Sequence, residues 1–288
     1  PFPPGGGTDY LARTVGQKLG ERLGQQFVID NRPGGGGIAA TEMIARANAD
    51  GYTLLLSFNG QLAASPHLEK VTYDAARDFA AVSMIGASYH MLVAHPSLAV
   101  KNVRQLIDLA QAKSGAFNFA SSGLGTNPHL VIELLAHMAQ IKLVHIPYKG
   151  TLPGLIETIA GRTALIATSS MQLVLPNARA GKLRILAISS ATRVASLPEI
   201  PAVAESGLTG YEAVQWTAMM APAATPADIL SKLQKEIVAI LRTNEIRDKL
   251  AVDGAEIVAS SPEEFATFLR NETVKWAAVV KAAGIPQE

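Results

Sequence analysis

Two stretches of this sequence combine residue types that suit an anion. Pro1-Phe2-Pro3-Pro4-Gly5-Gly6-Gly7-Thr8-Asp9 runs directly into the helical pattern Tyr10-Leu11-Ala12-Arg13-Thr14-Val15. Ser121-Ser122-Gly123-Leu124-Gly125-Thr126-Asn127-Pro128 follows the strand-like run Phe117-Asn118-Phe119-Ala120 and opens the helix His129-Leu130-Val131-Ile132-Glu133-Leu134-Leu135. Glycine lets a backbone turn sharply and approach a ligand, because no Cβ intervenes. The first-turn N–H groups of a helix have no intrahelical partner and carry roughly half a positive charge, so a helix start behind a glycine loop is ready for an anion. Thr8 or Asp9 can cap the first helix, and Pro128 suits the first position of the second. The plainer reading of Gly5 to Gly7 is a connector. Two such starts in separate halves of the chain favour one ligand gripped from both sides.

Other chemistries find little support. The chain has no cysteine, which excludes disulfides, thiolate nucleophiles and cysteine metal sites. Gly123-Leu124-Gly125-Thr126-Asn127-Pro128 is one residue short of the dinucleotide G-x-G-x-x-G, and the strand at 143–146 ends without an acid for a ribose. No phosphate-loop G-x-x-x-x-G-K-[ST] is present. Gly86-Ala87-Ser88-Tyr89-His90 misses the G-x-S-x-G elbow by its last residue, and no helix pattern follows. His129, Glu133 and His137 lie four apart and could share a zinc, but the spacing reads as a solvated stripe opposite Leu130, Leu134 and Leu135. No cofactor and no metal are expected.

A length of 288 residues points to about two domains. Hydrophobic residues at 48% and charged residues at 17% describe a soluble globular protein. With 25 basic and 24 acidic side chains and no clustered Lys/Arg, nucleic acid is not a partner. No apolar run reaches the roughly 18 residues of a membrane helix. The chain starts on Pro-Phe-Pro without Met and reads as a trimmed product, its targeting segment absent.

The elements that must position these loops alternate. A helix over Thr8 to about Gly24 carries Leu11, Val15, Leu19 and Leu23 on one face. A strand, Gln26 to Asp30, leads through Asn31-Arg32-Pro33-Gly34-Gly35-Gly36-Gly37 to a helix over Ala39 to Ala47. The run Tyr52 to Phe58 lacks alternation and reads as a strand buried on both faces, as in a parallel sheet, ending on the turn signal Asn59-Gly60. Strand-like runs at 81–85 and 91–94 follow. Helices over 102–113, 128–140, 152–160 and 171–180 then alternate with strands over 117–120, 143–146, 163–168 and 183–189, a second α/β unit. A connector over 197–210 precedes the apolar run at 216–220. Thr225-Pro226-Ala227-Asp228 and the capping box Ser261-Pro262-Glu263-Glu264 open the tail helices, and Gly254 and Gly284 stop them. The last helix, Glu263 to Ala283, buries Phe265, Phe268, Leu269, Trp276 and Val280. This tail is expected to return to the first unit, giving lobe 1 over 1–96 and 217–288 and lobe 2 over 97–216, with crossings near His95 and Trp216.

Residues 1–9 and 31–37, with Asp50-Gly51-Tyr52-Thr53-Leu54-Leu55, Pro147-Tyr148-Lys149-Gly150, Ala180-Gly181-Lys182-Leu183-Arg184 and Ala221-Pro222-Ala223-Ala224-Thr225-Pro226, fall in order at familiar spacings. Over essentially its whole length the chain resembles the Bug-type receptors of bacterial tripartite tricarboxylate transporters. The resemblance implies an α/β type II periplasmic-binding-protein fold, two lobes with a ligand cleft and two crossover strands. It implies a periplasmic receptor, a monomer, that takes a small mono- or dicarboxylate, aromatic ones included, and delivers it to membrane permease subunits. The family's first strand starts before the Pro-Phe-Pro, so this chain would lack its beginning.

Carried over by position, ligand contacts in lobe 1 are implied for Phe2, Pro4, Gly6, Gly7, Thr8, Ser57, Asn59 and Gly60. Lobe 2 would supply Ser121, Ser122, Gly123, Gly125, Thr126, His129, Ser169, Ser170 and Gln172. Where many relatives carry an acidic or amide pair after the strand at 163–168, this chain has Thr168-Ser169-Ser170-Met171, so the ligand's identity is not transferable. The rival is a transferase or hydrolase on the same fold. It would need a nucleophile or an acid–base pair, for which Asp9 and His129 are the candidates, and both are better explained at helix starts.

Overall fold

The structure of the protein is a computed structural model that describes residues 1–2, 4, 7–251 and 255–284. The chain opens with helix α1 (Gly7–Leu23), helix α2 (Ile38–Ala45), strand β1 (Leu55–Phe58), a short helix α3 (Ser65–Leu68) and the long strand β2 (Phe79–Tyr89). It continues through β3 (Met91–Ala94), α4 (Val103–Ala112), β4 (Asn118–Ser121), α5 (Asn127–Ala139) and β5 (Val144–Pro147). Next come α6 (Thr151–Ile159), β6 (Leu165–Thr168), α7 (Met171–Arg179), β7 (Arg184–Ile188) and β8 (Val214–Pro222). The tail is α8 (Ala227–Leu241), α9 (Asn244–Ala251), β9 (Ala255–Ile257) and α10 (Pro262–Ala283). Among the described residues no helix is long and apolar enough to cross a membrane.

Two compact units divide the chain. Pro1–Ala87 and Trp216–Ala278 form the first, and Ser88–Gln215 with the stretch beginning at Val279 the second. The chain passes between them inside β2, inside β8 and inside α10.

The first unit carries a four-stranded sheet in the order β1-β8-β2-β9. Its core joins Leu11, Val15 and Leu19 of α1 to Leu56, Val82, Ile85 and Met219 of the sheet and to Leu233, Ile237 and Ile240 of α8. The four-residue spacing of the α1 leucines is what aims them there. β1 is indeed buried on both faces but pairs antiparallel with β8, Leu55 opposite Met220 and Phe58 opposite Thr217. Cover on both faces produced the unbroken apolar run, and cover does not dictate strand direction. Residues 26–30 are extended yet form no strand. Phe27 and Ile29 turn toward Gly16 of α1 and Val28 is exposed, so the alternation was real. A ladder partner is missing among the described residues.

Asn59-Gly60 is not a turn. Asn59 has helical φ/ψ, and the chain runs from β1 directly into a π-helical turn over Gly60–Ala64 that continues as α3. The side chain of the buried Gln61 folds back to accept the Phe58 N–H at 3.2 Å.

The second unit holds a five-stranded sheet in the order β5-β4-β6-β3-β7. β4 runs parallel to β5 and β6, while β3 is antiparallel to both β6 and β7. Its core gathers Met91, Val93, Ala120, Leu155, Ile166, Val174 and Ile188.

In the tail, the capping box forms as expected. The Ser261 N–H donates to the Glu264 carboxylate at 2.8 Å, and the Glu264 N–H donates to Ser261 Oγ at 3.1 Å. Thr225 does not cap α8. Its hydroxyl donates to the Pro222 carbonyl at 2.8 Å, and the cap position falls on Pro226. α9 and β9 were not anticipated, and Gly254 lies outside the described residues. α10 buries Phe265, Leu269, Trp276 and Val280, with Phe268 half-buried. It also buries Glu272, whose Oε2 accepts the indole N–H of Trp216 at 3.2 Å and of Trp276 at 3.0 Å.

Candidate functional site

The first-unit residues gather at the start of α1. Gly6 lies outside the described residues, Pro4 is exposed in a turn, Gly7 opens the helix and Thr8 is half-buried in its first turn. The ring of Phe2 stacks on that of Phe58 at 4.7 Å, which joins this start to the end of β1. Asp9 is buried in the first turn. Its carboxylate accepts Arg13 Nε at 3.0 Å and Asn31 Nδ2 at 2.9 Å, and Asn31 Nδ2 also donates to the Phe2 carbonyl at 3.0 Å. Asn31 therefore ties the 31–37 loop to the chain entering α1.

That loop is fixed from its other end by Gln61, whose Nε2 donates to the Gly37 carbonyl at 2.9 Å. Gly37 has φ 98°, and a Cβ there would run into the Gln61 amide, so only glycine fits. Ser57 is fully buried with its hydroxyl 3.4 Å from the Ala218 carbonyl, Asn59 is buried, and Gly60 lies against the Phe58 ring.

The second-unit residues form a compact loop between β4 and α5. Gly123 has φ 133°, a conformation closed to side chains, and Gly125 has φ 69°. Much of the loop's polarity is spent internally. The Gly123 N–H donates to Ser121 Oγ at 3.0 Å, the Gly125 N–H to His129 Nδ1 at 3.0 Å, and the Thr126 hydroxyl to the Gly123 carbonyl at 2.7 Å. Thr126 occupies the cap position of α5 without a side-chain cap bond. The N–H groups of Ser122 and Leu124 have no internal partner among the described residues. Asp and Glu are absent from the first turn of α5.

Under this loop lies a group that the residue types alone did not single out. His145, on β5, stands opposite Phe119 of β4 in the parallel register. Its ring stacks on His129 at 3.9 Å and on Phe119 at 5.0 Å, and its Nε2 is 2.6 Å from Ser121 Oγ. Burial, and then the neighbouring His129, lower its pKa to about 4. A polar residue in the apolar run 143–146, two positions before Pro147, was the available signal. His129 is itself buried, with Nε2 3.5 Å from Glu133 Oε1, while His137 is exposed. The expected solvated stripe is therefore solvated only at its far end. Among the described residues no group of three or more His, Cys, Asp or Glu is placed to hold a metal ion.

The remaining expected residues lie at the start of α7. Ser169 and Ser170 are half-buried and Gln172 is exposed, and Thr168 Oγ1 accepts the Ser170 N–H at 3.1 Å. Ser88 belongs to β2 and not to a nucleophile elbow.

Two α/β units, with hydroxyls and backbone donors at strand-to-helix turns, define a solute receptor of the type II periplasmic-binding-protein fold. An R. palustris protein solved with adipate is 35% identical, with a TM-score of 0.82 over 100% of this chain and 96% of that one. MatC of Rhodopseudomonas palustris, solved with bound malate, is 27% identical with a TM-score of 0.78 over 97% and 96%. The chain belongs to the tripartite tricarboxylate transporter family receptors (TctC), whose match spans residues 11–285. Protein BugT of Bordetella pertussis is 36% identical over 99% of this chain and 87% of its own length. Membership in a receptor family decides against the transferase or hydrolase reading, and it places the working protein outside the cytoplasm.

Proposed function

We propose that this receptor is periplasmic, captures a small organic mono- or dicarboxylate as a monomer, and presents it to membrane permease subunits. The observation that carries the reading is the start of α5. It offers the N–H groups of Ser122 and Leu124 and the Ser122 hydroxyl ahead of a 13-residue helix with no acid in its first turn. Thr8, Ser169 and Ser170 are the further hydroxyls assigned to the ligand, and Phe2 and Phe58 the apolar wall. The solved relatives hold adipate and malate, which supports a carboxylate of that size.

The stretches 2–8, 57–60, 121–126 and 168–172 contain no Arg or Lys. Charge must then be met by N–H groups, hydroxyls and helix ends. A hydrogen bond to a charged group contributes about 1.5–3 kcal/mol net, and a helix N-terminus roughly 0.3–1 kcal/mol. Micromolar affinity needs about 8 kcal/mol. Three or four such bonds, a helix end and burial of the ligand's body reach that range.

A ligand that binds only the folded state raises the melting temperature. A thermal-shift panel of adipate, malate, citrate and benzoate should give a concentration-dependent rise for at least one. A flat response across all four at millimolar concentration would overturn the reading.

A further inference from the structure

We infer that His129 and His145 are positioning residues, a stacked imidazole brace that holds the 121–126 loop in its ligand-ready shape without touching the ligand. The inference rests on the carboxylate reading of that loop, and it changes the role expected of His129. His129 is 2% exposed, and its Nδ1 is occupied by the Gly125 N–H. An Nδ1 that accepts carries no proton, so the ring's proton sits on Nε2 and faces Glu133. Nδ1 is spent on the loop, and Nε2 lies 3.5 Å from Glu133 Oε1 in a ring that is almost wholly buried.

His145 completes the brace through Ser121. Ser121 Oγ lies 2.6 Å from His145 Nε2, accepts the Gly123 N–H at 3.0 Å and is 3.0 Å from the Gly123 carbonyl. A hydroxyl has one proton and two acceptor sites. Every contact is satisfied when His145 Nε2–H donates to Ser121 Oγ, the Ser121 hydroxyl donates to the Gly123 carbonyl, and the Gly123 N–H donates back. The carbonyl of Gly123 also receives the Thr126 hydroxyl. The two rings, 3.9 Å apart and 17° from parallel, thus fix Gly123 and Gly125, the two glycines with positive φ on either side of Leu124. Holding these two turns fixes the backbone that carries the Ser122 and Leu124 N–H groups, which have no internal partner among the described residues.

The test uses four variants of the full chain and two readouts. His129→Asn keeps an acceptor at the Nδ1 position, and His145→Gln keeps an N–H donor at the Nε2 position. His129→Leu and His145→Leu remove both. The first readout is amide hydrogen exchange at Gly123 and Gly125 without ligand. We expect slow exchange in the wild type, loss at Gly125 in His129→Leu and at Gly123 in His145→Leu, and retention in the conservative pair. The second is calorimetry with adipate as probe, where the leucine variants should lose at least tenfold in affinity and the conservative pair stay within about threefold of wild type.

Fast exchange at both glycines in the wild type overturns the brace, whatever the variants do. So does a conservative variant that keeps its slow amide but loses affinity as severely as its leucine counterpart, because the ring itself would then contact the ligand. Should the leucine variants fail to fold, the wild-type exchange and the conservative pair still decide. An absence of adipate binding by the wild type counts against the carboxylate reading alone and leaves the exchange readout to judge the brace.

Discussion

The starts of α1 and α5 are built from similar residues and differ in charge. α1 begins with its own carboxylate, because Asp9 is buried in the first turn and held by Arg13 and Asn31. α5 has no acid in its first turn, and its loop is braced by neutral groups: Ser121, Thr126 and two imidazoles. A carboxylate near a helix N-terminus offsets the partial positive charge there. The first start is thus partly offset from within, and the proposed reading leaves it hydroxyl, backbone and the stacked Phe2–Phe58 rings as its contribution. The second has no internal acid to offset its field, which is why the proposed reading assigns the anion to it. Two glycine-rich loops that read alike in sequence therefore differ in charge.

The largest effect expected from this contrast appears on acidification. Five of the six histidines lie within residues 88–215. Among them His90 is buried with no partner for its Nδ1 among the described residues, and burial lowers its pKa from 6.5 to about 4. The folded state holds this ring neutral while the unfolded chain protonates it near its ordinary value. Its share of stability is complete above about pH 6.5 and is lost as the pH falls toward about 4, roughly 3 kcal/mol in all. Urea unfolding at pH 7 and pH 4.5 should show the loss, and His90→Phe should reduce it. Exchange protection, corrected for intrinsic rates, should fall more in β3 and β7 than in α1 and β1. An equal fall in both units would erase the contrast.

Asp9→Asn tests the first helix start. Arg13 loses a charged partner, at a cost to stability of about 1–2 kcal/mol given that Arg13 is half exposed. Carboxylate affinity should hold or rise, because an internal anion has been removed. A tenfold fall in affinity would mean that the Asp9 network presents the ligand-binding atoms after all.

Asn127→Asp tests the second start with opposite signs. An acid in the first turn of α5 should add about 0.3–1 kcal/mol to stability. It should weaken carboxylate binding at least tenfold, about 1.4 kcal/mol. Stability and affinity moving together would contradict the assignment of that helix end to an anion.

Much of this arrangement was legible in the sequence. The α1 leucines, the β4-loop-α5 unit and the Ser261 capping box are local patterns, and local physics fixed them. Misreadings arose where a distant partner decided. Gln26 to Asp30 alternates like a strand, but a strand also needs a neighbour for its backbone groups. Asn59-Gly60 carries turn chemistry, yet Gln61 supplies the acceptor for the Phe58 N–H, and the chain continues as helix. Thr225 had two acceptable partners and took the Pro222 carbonyl. At the site, the glycines were visible from their spacing, whereas the brace was not. Only the β4–β5 register, with His145 opposite Phe119, brings its ring within reach of Ser121, and a lone histidine in a strand gives no hint of that contact. Asp9 was readable as a first-turn acid, but its hydrogen bond from Asn31 depends on the path of the 31–37 loop.

The central claim is that a carboxylate is recognised through N–H groups, hydroxyls and a helix end, with no arginine clamp. Calorimetry of adipate against its neutral diamide, at low and at moderate salt, tests it most directly. The account predicts that the diamide binds about a hundredfold more weakly, the equivalent of one to two charged hydrogen bonds, and that added salt narrows the gap only slightly if the site is buried. Equal affinity for adipate and its diamide would contradict it.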